Sequence, residues 1–173
     1  DIYKLNGTKS KFKDFTVIAP GVEPRSSAMA CGLAIEFANN ALIENVKATN
    51  SKNASMNIRR CYKSSVKNVV CIQSDNDPNY GTRYGLAISN SQNCDIQGFF
   101  VGARHAISVG GDATIPNCTN RGLLIHDSIC ENQSAFLASC SMHGNAENCT
   151  VDNVDCFGGG INVIGDNNKH RNI

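Results

Sequence analysis

A six-residue pattern recurs six times along the chain, and a repeat of this kind restricts the fold more than any other feature. Phe12–Val17 aligns with Ile43–Ala48, Val66–Cys71, Ile96–Val101, Ile125–Cys130 and Val151–Cys156. The first position is large and apolar, the third is mostly Asn, Asp or Gly, and the sixth is a small or medium apolar residue: Val17, Ala48, Cys71, Val101, Cys130 or Cys156. A second pattern alternates with it, in Gly32–Ile35, Ser55–Ile58, Gly85–Ile88, Arg104–Ile107, Ser134–Leu137 and Gly160–Val163, with the period of two of a strand. Steps between copies of the first pattern are 31, 23, 30, 29 and 26 residues. The shortest step approximates one turn of a parallel β-solenoid, with the excess held in loops.

The reading is all-β: a right-handed, single-stranded parallel β-helix of about six coils, about 29 Å tall at one strand spacing per coil. One domain over residues 1–173 is expected, as a piece of a longer chain, because strand patterns run to both ends. No Leu-x-x-Leu-x-Leu pattern and no segment of helical period supports a leucine-rich solenoid. Cys71, Cys130 and Cys156 are predicted to stack in one interior column, and Asn45, Asn68 and Asn153 to form an amide ladder at a corner.

Composition removes several classes of function. With 16 Lys+Arg against 15 Asp+Glu, the net charge of +1 gives no field for gripping nucleic acid, and none is expected as a partner. No apolar run approaches the roughly 18 residues of a helical span, so membrane insertion is not expected either. Nine cysteines without a CxxC pair fit neither a zinc ribbon nor a redox motif and are read as reduced thiols filling the interior. No metal or cofactor is implied.

Function is sought where loops break the rhythm. Residues 73–84 form one insertion, in which Asp75, Asp77, Tyr80, Arg83 and Tyr84 combine aromatic faces with charged groups suited to binding sugar. A second insertion, residues 109–121, widens the gap between strand motifs from 8 residues (Ile88 to Ile96) to 18 (Ile107 to Ile125). It follows a strand in which Arg104 stands at a position small elsewhere and His105 at one that is otherwise apolar. Strand parity turns His105 toward the core, where a buried, hydrogen-bonded histidine is the structural alternative. If Ile107 stacks on Leu137, then Asp112 and His143 leave the same edge on adjacent coils. Arg104, His105, Asp112 and His143 are thus the candidate catalytic residues for proton transfer and charge stabilisation on a sugar ring. Hydrolysis calls for a second carboxylate beside Asp112; Asp127 and Glu131 are the candidates, and Asp127, aligned with the corner asparagines, is read as structural. Ala34, Asn57, Ala87, Ala106 and Asn162 line up as a flat outer face suited to a neighbouring subunit or an extended glycan.

The run Arg104–Gly111, then Ile115–Cys118, Ser141–Val151 and Gly159–Lys169 resembles the pectin-lyase-like β-helix of bacteriophage tail spike and tail fibre proteins. That family often carries an acid two positions before the later histidine; here the position is Ser141. The resemblance implies a homotrimer of the virion tail, made in the host bacterial cytoplasm and extracellular on release. It would bind, and in many members depolymerise, a bacterial surface polysaccharide. Two other readings stay open: a non-catalytic β-helical tail or adhesin scaffold, and a free polysaccharide lyase or epimerase. The second is opposed by the lack of a recurring aspartate column to hold Ca2+.

Overall fold

The computed structural model describes residues 3–18, 31–49, 51, 53–73, 83–110, 119–133, 137–143 and 145–173. The chain winds through seven coils. The first holds β1 (Tyr3–Thr8) and β2 (Lys11–Ile18), the second β3 (Cys31–Asn39) and β4 (Leu42–Thr49), and the third β5 (Ala54–Arg59) and β6 (Ser65–Ile72). The fourth has β7 (Tyr84–Ser89) and β8 (Asp95–Gly102), and the fifth β9 (His105–Val109), the short β10 (Asn120–Arg121) and β11 (Leu124–Asn132). The sixth has β12 (Cys140–Met142), β13 (Ala146–Glu147) and β14 (Thr150–Phe157), and the last β15 (Ile161–Val163) and β16 (Lys169–Arg171). The first strand of each coil joins one seven-stranded sheet, β1-β3-β5-β7-β9-β12-β15, and the last joins another, β16-β14-β11-β8-β6-β4-β2. Every pairing between them is parallel, as a β-helix requires. The count is seven rather than six because β1 and β16 each add a strand that the two sequence patterns do not capture.

Stacking like on like builds the core. In the first sheet Leu33, Met56, Leu86, Ile107, Cys140 and Ile161 are in register, with Ile35, Ile58, Ile88, Val109, Met142 and Val163 two positions on. Fully burying one such side chain stabilises by about 1.5–3 kcal/mol. In the second sheet Val17, Ala48, Cys71, Phe100, Cys130 and Cys156 form the predicted column with one correction: Phe100, not Val101, stands in it. β8 is one residue shorter at its corner, which brings Gly98 opposite Val69. A Cβ on Gly98 would strike the Val69 carbonyl oxygen and crowd the tip of the Phe100 ring. Glycine here and a large ring two residues later therefore exchange the sizes of Val69 and Cys71 in the preceding coil.

The corners repeat as well. Asp14, Asn45, Asn68, Asp127 and Asn153 all have positive φ, between 43° and 59°, a region Asn and Asp tolerate well. Asn45 Nδ2 donates to Asp14 Oδ1 at 2.7 Å, Asn68 Nδ2 to Asn45 Oδ1 at 2.7 Å, and Asn153 Nδ2 to Asp127 Oδ1 at 2.5 Å. This is the expected ladder, interrupted at the shortened β8 corner and started twice on an aspartate. At a second corner Lys9, Asn40, Lys63, Asn93, Gly122, Asn148 and Asn167 are left-handed in turn. From Lys9 to Asn148 each donates its N–H to a carbonyl one coil on, at 2.8–3.0 Å. The eight described cysteines are free thiols, seven buried and Cys156 partly so, and Cys118 lies outside the described residues. Burial raises Cys94 to about 11 and Cys140 to about 12.

Candidate functional site

The first sheet aligns β7 with β9 through Tyr84↔His105, Leu86↔Ile107, Ala87↔Ser108 and Ile88↔Val109. This shifts the expected register by two residues. The position equivalent to Gly32, Ser55 and Gly85 belongs to Ala106 rather than Arg104, and His105 aligns with Cys31, Ala54 and Tyr84 instead of Leu33, Met56 and Leu86. One coil later Ile107 pairs with Cys140, not with Leu137, because three further residues enter before the strand resumes. The column between the core positions therefore reads Ala34, Asn57, Ala87, Ser108, Ser141 and Asn162, without Ala106; Ala34, Ser108 and Ser141 in it are buried, so it is not the open flat face expected.

These shifts place three rings together. Tyr84 and His105 stack with centroids 5.7 Å apart and planes 16° from parallel. His143 meets His105 edge-on at 6.3 Å, with planes 76° apart. The His143 backbone N–H donates to the Val109 carbonyl at 2.9 Å, and its ring lies beside Gly110. Its Nε2 is 3.5 Å from Ser108 Oγ, at the long limit of a hydrogen bond and too far to activate a hydroxyl nucleophile. Gly102 makes the turn into β9 possible, since a Cβ there would collide with the His105 carbonyl.

His105 is buried, with 5% of its surface exposed. Its Nδ1 lies 2.6 Å from the Ala138 carbonyl oxygen, so Nδ1 carries the proton and donates, and Nε2 of the neutral ring keeps a lone pair. Burial pushes its pKa below the usual histidine value, helped by the nearby Arg104 and His143 charges and opposed by the Ala138 bond. The expected parity toward the core is met in burial, while its ring neighbours Tyr84 and His143 are both partly exposed. Arg104 is also partly exposed and donates its backbone N–H to the Arg83 carbonyl at 3.1 Å. Arg83 is 4% exposed, with φ of 35°. Of the expected site residues, the structure thus brings Tyr84, His105 and His143 into ring contact and sets Arg83 beside Arg104 along the backbone. Asp75, Asp77, Tyr80 and Asp112 lie outside the described residues. Among the described residues no group of three or more His, Cys, Asp or Glu is arranged to hold a metal ion.

A second polar cluster, which no motif in the sequence marks, joins Asp127 to residues of neighbouring coils. On the outer face of the second sheet His126 Nε2 meets Asp95 Oδ1 at 2.6 Å and its Nδ1 meets Asp127 Oδ2 at 2.7 Å. Both nitrogens must donate, which calls for the imidazolium. Burial pulls His126 down, but the bonds to Asp127 and Asp95 and their charges outweigh it, leaving the pKa above the usual value. The Asn153 amide and His126 hold the Asp127 carboxyl below the usual carboxylate range. The cluster belongs to a longer array. Lys13, Glu44 and Lys67 are in register, as are His126, Asp152 and Arg171, and Asp95 bridges the two groups by facing Lys67 at 4.0 Å and His126. Lys13 pairs with Glu44, and Arg171 with Asp152 at 2.9 Å. With His126 protonated the sign alternates at every step along the solenoid.

Comparison with solved structures agrees with this architecture. The tailspike gp61 of Pseudomonas phage phi297 superposes with a TM-score of 0.70 at 26% identity, over 82% of this chain and 24% of that one. The tailspike protein gp49 from Pseudomonas phage LKA1 gives 0.73 at 22% identity, over 98% and 26%. The Gp54 tailspike of Acinetobacter baumannii bacteriophage AP22, solved in complex with A. baumannii capsular saccharide, gives 0.54 at 23%, over 70% and 22%. The chain therefore spans about a quarter of the length of these tailspikes. No curated protein matches it in sequence. The family model for Gp49, pectin lyase-like, matches residues 49–173, well over half of the chain, and the protein belongs to that family.

Proposed function

We propose that this β-helix is part of a phage tailspike and recognises a bacterial surface polysaccharide, as a homotrimer on the virion tail. The observation that carries the reading is the partly exposed Tyr84 ring, held rigid by its stack on a buried histidine whose tautomer is set by the Ala138 carbonyl. A rigid aromatic face beside polar groups suits a pyranose ring, whose C–H face packs on the aromatic while its hydroxyls reach His143 and Arg104. The cluster is basic and, among the described residues, shows no carboxylate contact with either imidazole. That arrangement favours recognition over hydrolysis, which takes a pair of carboxylates.

Depolymerisation by elimination is the second reading, and the lone pair left on His105 Nε2 favours it. An imidazole is suited to abstracting the proton beside a uronate carboxylate, and Arg104 to holding the charge that develops. Ser141, in place of an acid two residues before His143, argues for binding alone. The experiment is a screen against capsular and O-antigen polysaccharides that follows binding, new reducing ends and the ultraviolet absorbance of unsaturated sugars. Binding without product supports recognition, unsaturated product supports elimination, and saturated reducing ends point to a hydrolase. Binding to no surface glycan overturns the proposal. Tyr84→Ala is expected to weaken binding about tenfold. His105 is a poor first mutant, because losing a buried hydrogen-bonded side chain unsettles the coil itself.

A further inference from the structure

At the corner that joins the two sheets, the first three coils differ from the rest. Phe37, Arg60 and Asn90 occupy equivalent positions, each two residues after Ile35, Ile58 or Ile88, and all three have φ of 53–55°. Asparagine is at home there; a bulky aromatic in this conformation is rare. Phe37 is nevertheless 58% exposed, so no core packing accounts for it. The neighbouring left-handed column shows the same departure, with Lys9 and Lys63 at positions that later coils fill with Asn or Gly. Tyr62, the residue before Lys63, is 39% exposed and lies one coil above Asn39. Each ring has a cation over it: the Arg60 guanidinium is 5.1 Å from the Phe37 centroid, and Lys63 Nζ is 5.1 Å from that of Tyr62. No acid occurs in residues 37–41 or 60–64. Adjacent Glu36 faces Arg59 at 3.9 Å. The same corner further along carries Glu147, paired with Arg121, and Asp166, so the positive character is confined to the first coils.

We infer that Lys9, Phe37, Arg60, Tyr62 and Lys63 form a second saccharide site, for a chain whose sugars carry carboxylates. A left-handed conformation kept by a bulky residue that does not pack against the core is a pointer to function. The exposed Phe37 and Tyr62 rings lie on neighbouring coils, two positions apart around the turn, and offer apolar faces to a sugar chain crossing the corner. Arg60 and Lys63 sit beside those faces as partners for carboxylates. The inference rests on the glycan-binding reading above but uses a different part of the surface.

The test is calorimetric titration of the whole chain with oligogalacturonate and with the same oligomer methyl-esterified, backed by hyaluronan, alginate and polysialic acid. The expected result is binding of at least one acidic chain that weakens at least tenfold in higher salt. For galacturonate, esterification is expected to have the same effect. Phe37→Asn, Arg60→Asn and Lys63→Asn restore the residue type of the neighbouring coils and so keep the fold. Each is expected to weaken binding several-fold, and the Phe37→Asn/Arg60→Asn pair at least tenfold. Binding that these variants leave unchanged, or no preference for acid over ester, overturns this site while leaving glycan recognition through Tyr84 intact. No binding of any acidic chain also overturns it; if no surface polysaccharide binds either, the wider reading falls too. Sedimentation supplies a further check: loss of self-association in the same variants would make the patch a subunit contact and overturn the site.

Discussion

Replacing Phe100 with alanine removes a fully buried ring from the coil whose neighbouring corner position is Gly98. At the equivalent position Val46, Val69 and Val154 are buried and help to fill the interior, and Ser128 of the next coil accepts the Gly98 N–H at 3.1 Å; Gly98 itself has no side chain to move into the space. The loss has two parts. Transfer of the ring's apolar surface accounts for about 2 kcal/mol. A ring-sized void of about 90 Å3 that stays open adds about 2 kcal/mol at roughly 24 cal/mol per Å3. A total of about 4 kcal/mol is expected, near the middle of the range for buried Phe→Ala changes. Because each coil contacts only its neighbours, the weakness falls in the middle of the stack, between coils three and five. Urea unfolding followed by far-ultraviolet circular dichroism measures the cost, and hydrogen exchange places it. Phe99→Ala, one residue away and partly exposed, is the control and should cost less than about 1 kcal/mol. Equal costs for the two, or less than about 1.5 kcal/mol for Phe100→Ala, would refute the one-residue shortening of β8 and the exchange of sizes built on it.

Three further outcomes are expected. Asn68→Ala removes the donor to Asn45 Oδ1 and puts alanine at φ of 50°, for a cost of about 1–2 kcal/mol by urea titration; Asn68→Gly should recover the backbone share. His126 is held above its unfolded value of 6.5, so its contribution is fully present below that pH and is lost as pH rises through the higher folded value. Stability measured on the alkaline side of 6.5 should therefore decline in the native chain and stay flatter in His126→Gln, with the titration itself visible in the imidazole proton resonances. Of the nine thiols, Cys94 and Cys140 at about 11 and 12 have almost no thiolate at neutral pH, and a coloured disulfide reagent should leave them unmodified until denaturant exposes them. Half-buried Cys156, lowered by its bond with Cys130, should be the first of the described thiols to react; immediate reaction of all nine would contradict the packed interior.

What the amino-acid sequence determined alone is whatever recurs with the coil. Each coil stacks on one like itself, so a column of Cys71, Cys130 and Cys156 or a ladder through Asn45 and Asn68 must be written as repeated residue types. The class of fold, the thiol-filled interior and the asparagine corner follow from that repetition. Register within a strand does not. A motif of period two matches itself when moved by two, so Arg104–Ile107 fits the pattern as well as Ala106–Val109. Only the backbone hydrogen bonds and the Gly102 turn decide that Tyr84 lies against His105. The shortened β8 corner was hidden for a similar reason, since Phe99, Phe100 and Val101 are all apolar and any of them fits the column. His126 and Asp95 are 31 positions apart on coils whose loops differ in length, and no spacing rule links them. Their pairing, like the meeting of Phe37 with Arg60, arises only when the coils are stacked and side chains far apart in sequence come to lie one strand spacing apart.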